Sequence, residues 1–246
     1  MMFPILQLGP LAIQLPGLLL LGGVWVATLA VERAAPRFKL SPAQINNMIF
    51  YALIAGVLGA RLGYVLQYFE AYASDPLSAL ALNPNTLSLP EGLLAGVITA
   101  VVYAQRKELP LWPTLDALTP GLAVFMLALG LAHLSSGDAF GAPADLPWSV
   151  ELWGARRHPA QVYEILGAAL IMVFVFRTQK LSWADGLHAL SFVALTAAMR
   201  LFLEAFRGDS VLIFTGLRQV QLISLLILMA ALITMHRRAR SSHETA

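Results

Sequence analysis

Three ionisable side chains lie close together inside an apolar stretch of the sequence near residue 200. Glu204 and Arg207 follow Arg200 at offsets of four and seven, so a helix would place all three on one stripe. Ionisable groups inside a membrane span each cost roughly 2.5–3.5 kcal/mol on insertion scales, which makes them functional candidates. Two arginines against one glutamate leave a positive charge that suits the phosphate of an anionic lipid. The alternative is an Arg–Glu pair with a purely structural role.

A second apolar stretch also contains an arginine, Arg61, and Tyr64 follows it at an offset of three. The two side chains would therefore share a helix face, with the arginine too deep to be an interface anchor. One interpretation is binding of a lipid phosphate. The other is that Arg61 acts as the counter-ion of Glu204 or Glu164.

The segment from residue 133 to 141, HLSSGDAFG, supplies a third group of polar side chains. His133, Ser135, Ser136 and Asp138 could provide acid–base or hydrogen-bonding groups. The alternative interpretation is an ordinary helix C-terminus that ends at Gly137.

Two further polar groups open apolar stretches at a similar depth. Gln161 and Glu164 follow Pro159, which fits the first turn of a helix, and Glu91 follows Pro90 in the same way. The convergence of these groups at one level of the bilayer predicts a polar cavity that is reached from the lipid.

The elements that must position these residues are membrane spans. The chain has 246 residues, of which 58% are hydrophobic and 12% are charged, and a soluble domain carries about twice that share of charge. We therefore predict an all-α integral membrane protein with about seven transmembrane helices. The predicted spans are Leu11–Val31, Asn46–Gln67, Leu87–Ala104, Leu115–Leu134, Ala160–Phe176, Ala184–Phe206 and Leu217–Met235. The third of these is short, so it could instead be tilted or partly re-entrant.

The distribution of Lys and Arg predicts the orientation of the spans. Basic residues follow the first, third, fifth and seventh spans, whereas residues 69–86 contain none. The positive-inside rule then places the N-terminus outside and the C-terminus inside. We predict one polytopic membrane domain over residues 1–246, with an irregular outer segment at residues 135–159.

Composition also argues against several other kinds of site. The chain has no cysteine, and its five histidines lack metal-ligand spacing, so we expect neither a metal nor a cofactor. The basic residues are scattered over short loops, and we therefore expect no nucleic-acid binding.

Six segments of the chain together resemble the prolipoprotein diacylglyceryl transferase family, and they occur in the family's order. The most specific are Arg157 to Glu164, RHPAQVYE, and Met199 to Arg207, MRLFLEAFR. The others are GARLGYVL from Gly59 to Leu66, SLPEGLLAG from Ser88 to Gly96, Asp116 to Pro120, and Ser136 to Gly141 with Pro147 and Trp148.

The resemblance implies a multi-pass enzyme of the bacterial plasma (inner) membrane that takes part in lipoprotein maturation. It would move a diacylglyceryl group from phosphatidylglycerol, or another anionic lipid, to the lipobox cysteine of a lipoprotein signal peptide, with release of glycerol phosphate. Cations are needed on the leaving phosphate and a base on the thiol. The lipid-binding residues that we predict are Arg61, Tyr64, Asp138, Gln161, Glu164, Arg200, Glu204 and Arg207.

The chain differs from the family pattern at two working positions. The family's His-Gly-Gly corresponds to Pro90, Glu91 and Gly92, and its lipid-binding arginine on the fourth span corresponds to Gly130. An active enzyme would then use Glu91 or His133 as its base. The alternative is a catalytically silent member that binds lipid or serves as a structural subunit among other membrane subunits.

Overall fold

The computed structural model describes residues 5–8, 11–81, 86–213 and 216–244. Within these residues the chain is mainly helical, with three short antiparallel hairpins. The α-helices are α1 (Leu15–Ala34), α2 (Pro42–Gln67), α3 (Phe69–Ala73), α4 (Leu89–Arg106), α5 (Leu111–Ser136), α6 (Ala160–Thr178), α7 (Leu187–Leu203) and α8 (Gln219–Glu244). The hairpins are β1 (Ile5–Leu8) with β2 (Leu11–Gln14), β3 (Val150–Leu152) with β4 (Ala155–Arg157), and β5 (Leu212–Ile213) with β6 (Leu217–Arg218).

Each of the seven predicted spans coincides with one long helix. Six helical segments of the described residues are long and apolar enough to cross a membrane: Leu15–Phe38, Pro42–Gln67, Leu111–Ser136, Ala160–Thr178, Leu187–Phe206 and Gln219–Arg240. The remaining one, α4, has 18 residues, with Glu91 in its first turn and Arg106 in its last. The prediction of an all-α membrane fold with about seven spanning helices is therefore confirmed.

Several boundaries differ from the prediction. Residues 11–14 pair with residues 5–8 as a hairpin, so α1 begins at Leu15, where Pro16 suits the first turn. The predicted irregular segment at residues 135–159 is shorter and more ordered than expected. Its first two residues complete α5, and the β3–β4 hairpin lies within it.

The described helices fall into two compact units, one formed by Ala35–Thr114 and the other by Met1–Ala34 with Leu115–Ala246. In the first unit, α2 and α4 are in close contact because small residues line their crossing. A Cβ added at Gly59 would lie 2.4 Å from the Cβ of Ala95, and one added at Gly63 would lie 2.6 Å from the Cβ of Glu91. Small residues of this kind allow membrane helices to approach closely.

In the second unit, α5, α6 and α7 share an apolar core. Ala123, Ile171, Val175 and Phe192 are buried there, and methionines pack around them. The contact of α1 with α5 is also close, since a Cβ at Gly23 would lie 2.4 Å from the Cβ of Ala128.

The N-terminus of α7 is capped by a side chain from α5. Asp116 is fully buried, and its two carboxylate oxygens accept hydrogen bonds from the backbone N–H groups of Gly186, at 2.6 Å, and Ala189, at 2.8 Å. A carboxylate at this end of a helix satisfies orphan N–H groups and complements the helix dipole. Asp116 therefore fixes where α7 begins, and α7 carries Arg200 near its other end.

Candidate functional site

A chain of charged and polar side chains connects α5, α6 and the end of α7. His133 Nδ1 lies 3.0 Å from Glu164 Oε2, and the other oxygen of Glu164 lies 3.6 Å from Arg200 NH1. The second terminal nitrogen of Arg200 lies 3.6 Å from Glu204 Oε2, one helical turn along. Both carboxylates are buried, with side-chain exposures of 9% for Glu164 and 2% for Glu204, whereas Arg200 is 30% exposed. The structure thus brings together four of the residues that the sequence analysis selected.

A small, partly open cleft lies beside these charged side chains. Its lining residues are Ala160, Tyr163, Glu164, Arg200, Leu203 and Arg207. Arg200 contacts its carboxylates only at ion-pair distance, and its guanidinium makes no hydrogen bond to the residues that the structure describes. Its N–H donors are therefore available to an anion that enters the cleft.

The turn that ends α5 connects His133 to Asp138. Gly137 adopts a left-handed conformation, φ +79°, and its N–H donates to the carbonyl of His133, so α5 ends here, as in the alternative interpretation of this segment. The Asp138 carboxylate accepts a hydrogen bond from Ser136, while its carbonyl accepts one from Gln161 Nε2 at 2.9 Å. Gln161 therefore ties this turn to the start of α6.

Arg207 follows the 3-10 turn that ends α7, and its guanidinium binds Asp209 through two hydrogen bonds of 2.8 and 2.6 Å. Burial alone would lower the pKa of Arg207, but the hydrogen bonds and charge of Asp209 raise it above the ordinary value for arginine. Its backbone pairs with Gly141, where a Cβ would lie 2.1 Å from the carbonyl oxygen of His158. The segment after α5 is thereby held against the end of α7.

Arg218, which the sequence analysis did not select, is part of the same site. Its NH1 donates to the carbonyls of Glu204 and Arg207, at 2.5 and 2.7 Å, and to the hydroxyl of Ser210 at 2.8 Å. Ser210 in turn donates to Glu204 at 2.7 Å. The available signal was an arginine inside a predicted span at its outer end, which the positive-inside rule disfavours.

The charge balance of the site differs from the sequence-based expectation of a spare positive charge. Arg200, Arg207 and Arg218 are matched by three carboxylates, because Glu164 and Asp209 join Glu204. An anion would therefore be bound by hydrogen bonds from Arg200, because these arginines and carboxylates leave no excess of positive charge.

Arg61 lies in the other unit, and its guanidinium is used by the protein. Its Nε donates to the carbonyl of Ala79 at 2.9 Å, NH2 to the carbonyl of Ser78 at 2.7 Å, and NH1 to the carbonyl and hydroxyl of Thr86 at 3.1 and 2.5 Å. The arginine is only 7% exposed and lies over the ring of Tyr72. These hydrogen bonds give Arg61 a clear role in holding the loop after α2.

Tyr64 and Glu91 also belong to this unit. The ring of Tyr64 packs against those of Tyr68, with centroids 4.6 Å apart, and Tyr72, at 6.5 Å. Glu91 lies in the first turn of α4, where its carboxylate accepts a hydrogen bond from Ser88. Both residues therefore have partners within this unit.

Comparisons with known proteins identify the family of this chain. The family model for prolipoprotein diacylglyceryl transferases matches residues 4–237. A phosphatidylglycerol–prolipoprotein diacylglyceryl transferase of Synechococcus elongatus is 28% identical over 237 residues, covering 90% of this chain and 82% of that protein. Relatives of the same name from Finegoldia magna and Streptococcus pneumoniae are 29% and 31% identical, covering 88% and 91% of this chain and 88% of each relative. Because the match extends over nearly the whole chain, the protein belongs to the prolipoprotein diacylglyceryl transferase family.

Proposed function

We propose that this protein transfers a diacylglyceryl group from phosphatidylglycerol to the cysteine thiol of a prolipoprotein. Its family and the names of its relatives support both substrates. The observation that carries the proposal is the guanidinium of Arg200, which lines a cleft with its hydrogen-bond donors free of the described residues.

The reaction needs a stabilised leaving group. The thiolate sulfur attacks the glyceryl carbon that bears the phosphate ester, a C–S bond forms, the C–O bond breaks, and glycerol phosphate leaves with the bonding electrons. Arg200 would donate hydrogen bonds to the phosphate oxygens as their negative charge increases. Glu164 and Glu204 hold the guanidinium in place, one from each side.

Other predicted residues support this arrangement in our proposal. Gln161, through the carbonyl of Asp138, fixes the wall beside the cleft, and Arg207 lines the cleft as a pair with Asp209. Arg61 and the neighbouring Tyr64 serve the loop after α2, because four hydrogen bonds of the Arg61 guanidinium already go to that loop. The lipid site that we propose therefore centres on Arg200.

We propose that the protein resides in the bacterial plasma membrane with its N-terminus outside. The cleft then opens near the outer surface, where a lipobox peptide emerges from the membrane. This placement follows the distribution of Lys and Arg.

A transfer assay tests the proposal. Purified protein is mixed with phosphatidylglycerol and a lipobox peptide, and the thioether-linked product is sought by mass spectrometry. Arg200→Ala should lower the rate by 100-fold or more, because removing one donor to a developing anion costs about 10²–10³ in rate. Arg156→Ala is the matched control, since Arg156 lies on the β3–β4 hairpin, pairs with the exposed Asp145 and is itself 55% exposed.

Lipid retained by the purified protein separates the two family interpretations. Product that depends on Arg200 supports the transferase. If no product forms while phosphatidylglycerol co-purifies with wild type and is lost from Arg200→Ala, the protein is a silent, lipid-holding member of the family, and the transferase proposal is wrong.

A further inference from the structure

We propose that His133 is the general base that deprotonates the lipobox thiol, with Glu164 as the residue that positions it. This inference rests on the proposed transferase function and assigns a residue to its least explained step. The resemblance puts Pro90, which has no base, at the position of the family's histidine. The structure offers a histidine–carboxylate pair elsewhere, on α5 and α6.

The geometry of the pair fixes the tautomer of the imidazole. His133 Nδ1 lies 3.0 Å from Glu164 Oε2, so with an ionised carboxylate this nitrogen carries the proton and donates it to the hydrogen bond. Nε2 then has a free lone pair and, among the described residues, no hydrogen-bond partner. The His133 side chain is 25% exposed, whereas its partner carboxylate is 9% exposed. The pair therefore presents an accessible basic nitrogen held by a buried anion, which is the arrangement used by histidine bases in general.

The base and the phosphate site are joined through one carboxylate. Glu164 Oε2 faces His133, while Oε1 faces Arg200 at 3.6 Å and lines the cleft. A thiol brought against Nε2 would lose its proton there, and the resulting thiolate would attack a lipid whose phosphate is bound by Arg200. The proton passes from His133 to the departing glycerol phosphate or to water, and this returns the base to its starting state.

Several charged groups surround the imidazole of His133. Glu164 contacts it from α6. Arg200 on α7 lies between Glu164 and Glu204, and Arg207 acts electrostatically on Glu164. Transfer of the thiol proton to His133 creates an imidazolium ion directly against the Glu164 carboxylate, which stabilises it.

Glu91, the other candidate base, has a different use in the structure. Its carboxylate accepts a hydrogen bond from Ser88 within the first turn of α4, and its Cβ packs where Gly63 leaves room. A carboxylate at a helix N-terminus complements the helix dipole, which favours its charged form and weakens it as a base. The geometry therefore favours His133.

The test is the transfer rate of His133→Gln measured between about pH 6.5 and 9. At the low end we expect a loss of about 100-fold or more, the usual contribution of a general base. The loss should shrink at least tenfold toward pH 9, because the peptide thiol ionises by itself with a pKa of about 8.5. Imidazole added to His133→Ala should restore part of the rate at low pH.

Glu164→Gln should also lose rate, and it should lose less in the His133→Gln background than in wild type, because only its support of Arg200 is then left to lose. Thr178→Ala is the control, because that hydroxyl donates to the carbonyl of Phe174 in the last turn of α6. It should behave as wild type at every pH.

The outcomes separate this inference from the transferase function. An inactive wild type overturns the function itself. An active wild type with a His133→Gln loss that stays constant with pH, and without rescue of His133→Ala by imidazole, shows a structural role and overturns the base assignment alone. A rate loss of His133→Gln that becomes smaller as the pH rises, together with rescue of His133→Ala by imidazole, supports both the transferase function and the base assignment.

Discussion

At the scale of the residue, two arginines within helices show how differently a guanidinium can be used. Arg61 is buried and donates four hydrogen bonds to the loop after its own helix. Arg200 lies between two carboxylates at 3.6 Å and keeps its hydrogen-bond donors for a cleft. The same residue type thus serves the fold in one case and, in our proposal, the chemistry in the other.

Arg61→Lys should destabilise the protein although it keeps the charge. A lysine ammonium is a compact group and cannot reach Ser78, Ala79 and Thr86 together as the fork of arginine does. Hydrogen bonds from charged donors contribute about 1.5–3 kcal/mol each, so we expect a loss on the order of 2 kcal/mol. Thermal unfolding in detergent micelles measures it.

Arg106→Lys at the exposed end of α4 is the matched control and should unfold as wild type does. Equal unfolding temperatures for the two variants would contradict the role of Arg61 in holding the loop.

At the scale of the element, the start of α7 depends on a residue about 70 positions earlier in the chain. Asp116 and the Asp116-to-Pro120 motif were visible in the sequence, but their purpose was not. A sequence pattern reports contacts within a helix, whereas the hydrogen bond that the N–H of Gly186 donates to Asp116 joins two helices that only the fold brings together. The pairing of His133 with Glu164 was hidden for the same reason.

Asp116→Ala should lower stability by about 1–2 kcal/mol, the usual cost of losing a helix N-cap. Asp116→Asn should lose less, since the amide keeps one oxygen acceptor for two N–H donors. Hydrogen exchange at the backbone amides of residues 186–189 measures the effect locally. Asp185→Ala, an exposed aspartate beside the cap, should leave exchange unchanged.

The crossing of α2 and α4 gives a second test at this scale. Gly59→Ala places a methyl group 2.4 Å from the Cβ of Ala95, and overpacking of this kind costs about 1–3 kcal/mol. The same change at Gly22, where nothing lies within 4 Å of a Cβ, should cost no stability. Comparing the unfolding temperatures of the two variants decides whether this crossing is as close as the structure shows.

At the scale of the whole molecule, hydropathy predicted the number and approximate ends of the long helices, because the bilayer sets their length. The start of α1 was misplaced since the apolar residues 11–14 suit a strand as well as a span. Arg218 was overlooked because its partners are mostly backbone carbonyls, and these leave no trace in a sequence.

The absence of cysteine makes the predicted orientation directly testable. Single substitutions Ser74→Cys and Ser182→Cys place a thiol in exposed connections on opposite predicted sides of the membrane. A membrane-impermeant maleimide applied to intact cells should label Ser74→Cys alone, and Ser182→Cys should react only after the membrane is opened. The reverse pattern would invert the topology and with it the location of the cleft.

The bonds of Arg61 also bear on how this protein can change in evolution. Three of its four acceptors are main-chain carbonyls, at Ser78, Ala79 and Thr86, which every amino acid supplies. Side chains at positions 78 and 79 are therefore free to drift without loss of these bonds, whereas an insertion or deletion would move the carbonyls out of reach. Related sequences should accordingly show amino-acid substitutions in this loop much more often than changes in its length.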